Sequence, residues 1–495
     1  MPHMLYIGID LGTSALKAIL IDAEGKILYS CSRSYPLEFP NPGWSQQNPQ
    51  DWETAVNDCL KEISAHCTKG DIAGISVAGQ MHGLVVLDEN DEVIRPAILW
   101  NDGRSAGETE YLNNVIGRDK LSYWTGNIAF AGFTAPKLLW MKKNEPENFA
   151  RIRKIMLPKD YIVYRLTGIH STDMSDASGF LLLDVKNRRW SEEMLEICGV
   201  TSEQMPKLFE SYECVGTVRS EVAESLGLPK NVKVAAGAGD NAAAALGTAT
   251  VGDGSCNISL GTSGTIFISS DRFALDSGNA LHSFAHADGS YHLMGCMLSA
   301  ASCNKWWAED ILKSSDFAAL QSGIGDEALG RNSVLFLPYL MGERSPHNDP
   351  AARGAFIGMS MDTTQEDMTL AVLEGVAFAL RDSLECARAL GIQITSSRLC
   401  GGGAKSALWQ KIMANVLNID IELLCAEEGP GLGAAMLAAV ASGEYPTVGD
   451  AAKRIVEMSE IIHPTPEIAA AYEERYSVFR KLYPALKSVG EFVRS

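Results

Sequence analysis

The sequence predicts an α/β protein built twice over, with a mixed β-sheet in each half and a cleft between the halves. Three observations carry this. First, two distant segments repeat one pattern. Ile7-Gly8-Ile9-Asp10-Leu11-Gly12-Thr13-Ser14 runs on to Ala18-Ile19-Leu20-Ile21, and Ile258-Ser259-Leu260-Gly261-Thr262-Ser263-Gly264 runs on to Thr265-Ile266-Phe267-Ile268. Short apolar runs around a Gly-Thr-Ser turn read as β-hairpins. Second, strand-like runs alternate with amphipathic helical stretches, the pattern of an α/β chain. Third, the glycine-rich stretch 247–254 lacks large apolar residues and separates residues 1–248 from 249–495.

In order, residues 5–10, 18–22 and 26–30 are expected strands, followed by a helix over 51–66. Residues 72–78 and 84–87 are further strands, with 97–100 running into Asn101-Asp102-Gly103-Arg104. A helix follows over 135–143. The second half restarts near Cys256 with its hairpin, then helical stretches over 299–309 and 369–389. In the latter Leu373, Val376, Ala377, Leu380 and Leu384 share one apolar face. The strand 398–400 meets Gly401-Gly402-Gly403-Ala404, a helix runs over 406–417, and a strand over 419–424. Gly431-Leu432-Gly433-Ala434-Ala435 opens a helix of small residues.

At 495 residues, 46% hydrophobic and 21% charged, the chain can bury sizeable cores in more than one domain. Its formal charge of -19 argues against nucleic acid or an anionic membrane as partner, since both demand basic surface. No apolar run is long enough to span a bilayer. The start, Met1-Pro2-His3-Met4, lacks the basic and apolar regions of a signal peptide. The 11 cysteines are scattered without a Cys-x-x-Cys pair, as expected of reduced thiols in a cytoplasmic protein.

The residue types at the turns point to chemistry. Gly12 and Gly261 allow close approach, and the N–H and hydroxyl groups of Thr13, Ser14, Thr262 and Ser263 can meet phosphate oxygens. Two such turns, one per half, point to a nucleotide held between the halves. Asp10 ends a strand beside the first turn and suits magnesium; its alternative is a turn-forming aspartate. Asp240 follows small residues and opens a helix, where it is either a functional carboxylate or an N-cap. Gly402, Gly403 and Ala404 offer a flat surface for a purine; taken alone they are a loop. Met81 and His82 follow a strand between Gly79 and Gly83, and a lone histidine there is a ligand contact or a structural residue. Trp100, Asn101, Asp102 and Arg104 supply groups suited to a polyol, or a capping turn. Asn241 stands beside Asp240.

Asp10-Leu11-Gly12-Thr13-Ser14, Gly261-Thr262-Ser263-Gly264 and Gly401-Gly402-Gly403-Ala404 resemble the two phosphate motifs and the adenosine motif of the actin-like (ribonuclease H-like) ATPase superfamily. Within it the chain resembles the FGGY carbohydrate kinases. One signature matches Gly132-Phe133-Thr134-Ala135-Pro136-Lys137-Leu138-Leu139-Trp140-Met141, and another starts at Gly354-Ala355-Phe356-Ile357-Gly358. Further matching segments are 78–83, 98–104, 157–161, 173–179, 336–340 and Gly342-Glu343-Arg344. Glycerol kinases carry Arg-Glu where Met81-His82 stand, which disfavours glycerol. The resemblance implies two actin-like ATPase domains around a cleft, with ATP and Mg²⁺ as cofactors. It implies a small-molecule sugar, D-xylulose, as acceptor. Asp240 is then the proton acceptor, Asp10 the residue at the magnesium phosphate site, and Met81 and His82 sugar contacts. Lys17 stands where relatives carry a basic residue reaching the phosphates; its alternative is an exposed strand lysine. The oligomeric state is left open, a homodimer included.

Overall fold

The computed structural model describes residues 4–67, 71–425 and 428–492, so most of the expected leaderless start lies outside them. The first sheet contains β1 (Leu5–Leu11), β2 (Ala15–Ile21), β3 (Ile27–Ser34), β4 (Ile72–Gly79), β5 (Cys214–Thr217), β6 (Lys233–Ala235) and β7 (Ala238–Gly239). The second contains β8 (Cys256–Leu260), β9 (Gly264–Ser270), β10 (His282–Ala285), β11 (Tyr291–Met297), β12 (Ser396–Cys400), β13 (Asp420–Leu424) and β14 (Met458–Ile462).

The orders are β5-β6-β4-β1-β2-β3, with β7 also on β4, and β10-β11-β9-β8-β12-β13-β14. In each sheet an antiparallel hairpin (β1–β2, β8–β9) sits at the centre, with a further antiparallel strand beyond it. On the other side two parallel strands follow, then an antiparallel edge. One plan is used twice; β10 is the second sheet's addition. Both faces of β1 are covered, so Tyr6, Ile7, Ile9 and Leu11 are all buried and the strand reads as a continuous apolar run.

The helices relevant to the site are α1 (Pro49–Ala65), α2 (Thr134–Asn144), α3 (Pro158–Thr167), α4 (Asp240–Gly247), α5 (Gln365–Ala389), α6 (Ala407–Leu417), α7 (Gly429–Ser442) and α8 (Val448–Ile455). Their starts follow local chemistry. Asn48 caps α1 through Gln50 N–H, Thr364 and Asp367 form a capping box on α5, and Ser406 caps α6.

Packing crosses the expected division at residue 248. α7 and α8 lie on the first sheet, where Ala434, Ala435, Ala438, Val448 and Ala451 join Tyr6, Ile19 and Ile21 in one core. The small residues of α7 are explained there. A Cβ on Gly433 would stand 1.9 Å from Ala243 O of α4, and one on Gly8 2.0 Å from Gly431 O. Tyr6 Oη donates to Glu444 at 2.7 Å, fastening the same contact. At the opposite edge β10 docks on the first half. Asn127 Nδ2 donates to Ser283 O at 2.9 Å, and Ala285 N to Ser178 Oγ at 3.0 Å.

Some expected elements differ. The strand expected over 84–87 is Val85–Leu87 and pairs with Lys154–Met156 outside the main sheet. That over 97–100 is Ala97–Ile98, paired with Gln46–Gln47. The helix expected over 299–309 starts at Ala301 and relaxes into a π-helix over Trp306–Ile311. For the two strands a neighbouring segment, invisible to local periodicity, sets the limit.

Candidate active site

Asp10 is the penultimate residue of β1, and Asp240 is the first residue of α4, directly after β7. Both strands flank β4, which brings the two carboxylates into one field. Burial pushes Asp240 up to about 7, Asp10's charge adds to the rise, and the Asn241 N–H opposes it. Burial likewise pushes Asp10 up to about 6, against the pull of Lys17. Asp240 Oδ1 accepts from Asn241 N at 2.8 Å and Asn241 Nδ2 at 3.2 Å. Lys17 pairs with Asp10 in the hairpin register, yet its ammonium reaches Glu428 at 2.8 Å, across to the start of α7. Among the described residues no group of three or more His, Cys, Asp or Glu side chains forms a metal cage. Hard carboxylate oxygens under mutual repulsion nevertheless fit a divalent cation whose other ligands are phosphates and water.

The first turn is held from outside. Tyr35 Oη donates to Gly12 O, and Gln47 Nε2 donates to Thr13 O at 2.7 Å. Trp100 Nε1 donates to Thr13 Oγ1 at 3.0 Å, joining the turn to the segment 100–104. Ser14 and Asn101 are exposed. Asp102 and Arg104 are not brought to an open surface. Their ion pair, at 2.8 Å, has no side-chain exposure. Asp102 also accepts from Ser45 N–H at 2.5 Å and Arg104 N–H at 2.8 Å, and the guanidinium lies 3.9 Å from the Trp44 ring centre. The capping-turn alternative describes this pair: it builds the wall behind Trp100 and Asn101.

Met81 is buried against the Asp240 loop. A Cβ on Gly239 would lie 2.9 Å from Met81 Sδ, and Asn241 Nδ2 lies 3.9 Å from the same sulfur. His82 has a left-handed backbone, φ 69°, uncommon outside glycine. Its carbonyl is fixed by Thr134 Oγ1 at 3.0 Å and by Lys137 Nζ at 2.8 Å, both from α2. Its ring stacks on Phe133 at 4.5 Å. Nδ1 lies 2.9 Å from Gly179 O, so Nδ1 carries the proton and Nε2 is an acceptor. Burial pulls His82 down to about 3, with Lys137 and Arg344 adding to the fall, so the ring is neutral.

Beneath Asp240 lies a cluster whose place no residue spacing foretold. Lys159 Nζ is 2.7 Å from Asp160, 2.9 Å from Asp173 and 3.9 Å from Asp176, and all four side chains are fully buried. Ser175 Oγ donates to Asp173 at 2.5 Å and accepts from Gly239 N–H at 3.1 Å. The chain of contacts braces the loop that carries Asp240. Gly237, at φ 83°, completes that loop; a Cβ there would stand 2.1 Å from Val77 O. The only sequence signal was the motif character of 157–161 and 173–179.

The second turn opens on a cavity of about 880 Å³. Gly261 and Thr262 from the turn and Gly402 and Gly403 from the β12–α6 connection line it together, as the sequence expects. Ser263 is exposed on the turn, and Ala404 is buried behind the wall. Gly402 faces open space, whereas a Cβ on Gly403 would lie 2.8 Å from both Leu260 Cβ and the Trp409 ring. Lys305 and Phe317 also line the cavity and had no motif to mark them.

Comparison with known proteins bears on this geometry. Residues 5–247 match the N-terminal domain of the FGGY family of carbohydrate kinases, and residues 256–442 match its C-terminal domain. Xylulose kinase of Escherichia coli K12 is 41% identical over 485 residues, 97% of this chain and 99% of that protein. The crystal structure of a xyloylose kinase from Brucella ovis, 41% identical, superposes with a TM-score of 0.92 over 98% of this chain and all of its own. A gluconate kinase from Lactobacillus acidophilus, 28% identical, gives 0.91 over 98% of each.

Proposed function

The chain belongs to the FGGY family of carbohydrate kinases, and from that premise we propose that it transfers the γ-phosphoryl group of ATP to D-xylulose, giving D-xylulose 5-phosphate. Full-length similarity to xylulose kinases supports the choice of sugar. The observation that carries the chemistry is Asp240, a buried carboxylate near its titration midpoint at neutral pH, lying between the Met81–His82 side and the first turn.

In this reading Asp240 takes the proton of the 5-hydroxyl as that oxygen attacks the γ-phosphorus and ADP leaves. Neutral His82 accepts a hydrogen bond from a sugar hydroxyl through Nε2, while Met81, Asn241, Trp100 and Asn101 shape the sugar side. Asp102 and Arg104 act behind this wall, through Trp100 and Asn101. Gly12, Thr13 and Ser14 face Gly261, Thr262 and Ser263 across the triphosphate. Lys17 reaches the phosphates by exchanging Glu428 for them. Gly402, Gly403 and Ala404 carry the adenosine in the 880 Å³ cavity. Asp10 would hold Mg²⁺ with the phosphate oxygens; the ion's contribution is neutralisation of phosphate charge. Residues 1–248 act as the sugar domain and 249–495 as the nucleotide domain, with α7 and α8 as the second half's footing on the first. Domain approach around the substrates excludes water, the competing phosphoryl acceptor. A cytoplasmic location belongs to this reading, and the need for ATP and the 11 scattered cysteines support it.

ADP release measured across ketoses, polyols and gluconate tests the reading. D-xylulose is expected to give the highest kcat/KM. A higher value for another acceptor replaces the sugar, and ATP turnover that no acceptor stimulates indicates an actin-like ATPase of another class.

A further inference from the structure

Arg344 belongs to the second half of the chain yet lies at the first half's sugar side. Its loop is fixed to β11 from both neighbours. Glu343 Oε1 accepts from Leu298 N–H at 3.0 Å, and Ser345 pairs with Cys296 through Ser345 N–H to O at 2.9 Å and Cys296 N–H to Oγ at 3.0 Å. Glu343 itself is 1% exposed. The backbone under Arg344 is therefore preset.

Its guanidinium lies 5.1 Å from the centre of the Phe130 ring. Phe130 packs on Phe133 at 5.5 Å, and Phe133 stacks on His82 at 4.5 Å. The arginine is thus two rings from the imidazole that faces the sugar. Its charge is felt there: after burial, Arg344 is among the causes that lower His82 and His282. Among the described residues Arg344 forms no ion pair, whereas Lys17, Arg104, Lys137 and Lys159 each have an oxygen partner. A half-buried guanidinium left with an aromatic face and a thiol has donors to spare.

We propose that Arg344 is a substrate-binding residue supplied by the second domain, donating to a carbonyl or hydroxyl oxygen of the sugar. The inference rests on the kinase reading above. The donor sets then divide: His82 Nε2 and Asp240 accept sugar hydroxyl protons, while Arg344 donates to sugar lone pairs. The sugar bridges both domains, so its binding reports their relative position. An acceptor lacking the bonded oxygen leaves Arg344 unpaired and is rejected.

The test compares wild type, Arg344→Ala and Arg344→Lys. Wild-type turnover of D-xylulose is measured first; its failure sinks the kinase reading for this sugar and is separate from any arginine result. Arg344→Ala is expected to raise KM for D-xylulose on the order of 10- to 100-fold, with KM for ATP within about twofold. Arg344→Lys keeps one charged donor and is expected to recover part of the loss. D-xylulose should raise the melting temperature of wild type and not of Arg344→Ala, while ADP raises both. An unchanged KM for D-xylulose in soluble Arg344→Ala overturns the proposal. Equal losses in the KM values of both substrates, not recovered by lysine, also overturn it, because a packing role predicts that result.

Discussion

The two Gly-Thr-Ser turns occupy the same place in two sheets of one plan, yet their surroundings have diverged. In the first, Asp10 pairs with Lys17 across the hairpin; at the matching places of the second stand Ser259 and Thr265. The first turn is tied down by Tyr35, Gln47 and Trp100 and has a carboxylate pair beside it. The second is exposed at Thr262 and Ser263 and opens on the large cavity. The same hairpin plan recurs at both turns, with a carboxylate and a lysine at one and open space at the other. In the proposed reading the charged turn serves the proton and phosphoryl chemistry and the spacious one the nucleoside.

The sharpest way to break this comparison is Asp240→Asn. The amide keeps shape and hydrogen bonding but cannot take a proton, so kcat should fall on the order of 10²–10⁴ with KM for ATP little changed. Steady-state ADP release decides it; near-normal kcat removes Asp240 from the role of base.

Next in size is Asp10→Ser, which writes the second turn's residue into the first. Turnover should fall on the order of 10²-fold, while calorimetry still shows sugar binding. Lost sugar binding with intact magnesium-dependent nucleotide binding would reverse the assignment. The same variant sharpens the pH profile. A raised carboxyl pKa means the carboxylate base forms only as pH climbs, so wild-type kcat/KM should rise through about 7 and then level. Asp10 is one of the causes that raise Asp240. Removing its charge should therefore move the acid limb to lower pH; an unmoved limb shows that the two carboxylates do not communicate.

At the spacious turn, Gly402→Val places a branched side chain where nothing lies within 4 Å of a Cβ. KM for ATP should rise by about tenfold with KM for the sugar unchanged, on the assumption of about 1.4 kcal/mol of lost contact. The smallest effect is expected for Trp100→Phe. It removes one hydrogen bond to Thr13, worth about 0.5–1.5 kcal/mol, so kcat/KM should fall by about 2- to 10-fold.

Much of this was written in local sequence. The hairpins, their Gly-Thr-Ser turns, the strand-to-helix glycines and the apolar face of α5 follow from period and turn chemistry over a few residues, because backbone geometry there is decided by near neighbours. The family resemblance then implied roles for Asp10, Asp240, Met81 and His82. What local sequence left open was decided by packing between distant segments. Asp102 and Arg104 read equally as sugar contacts or as a cap until Trp44 and Trp140 closed over them. Lys159 is marked in the sequence only by the segment 157–161, and its role follows from the three aspartates that surround it. The footing of α7 on the first sheet, and the reach of Arg344 to Phe130, depend on contacts across hundreds of residues. A side chain's chemistry belongs to its sequence, but its burial, its partners and so its charge state belong to the assembled fold, since desolvation and Coulomb energy are set by whatever is packed around it.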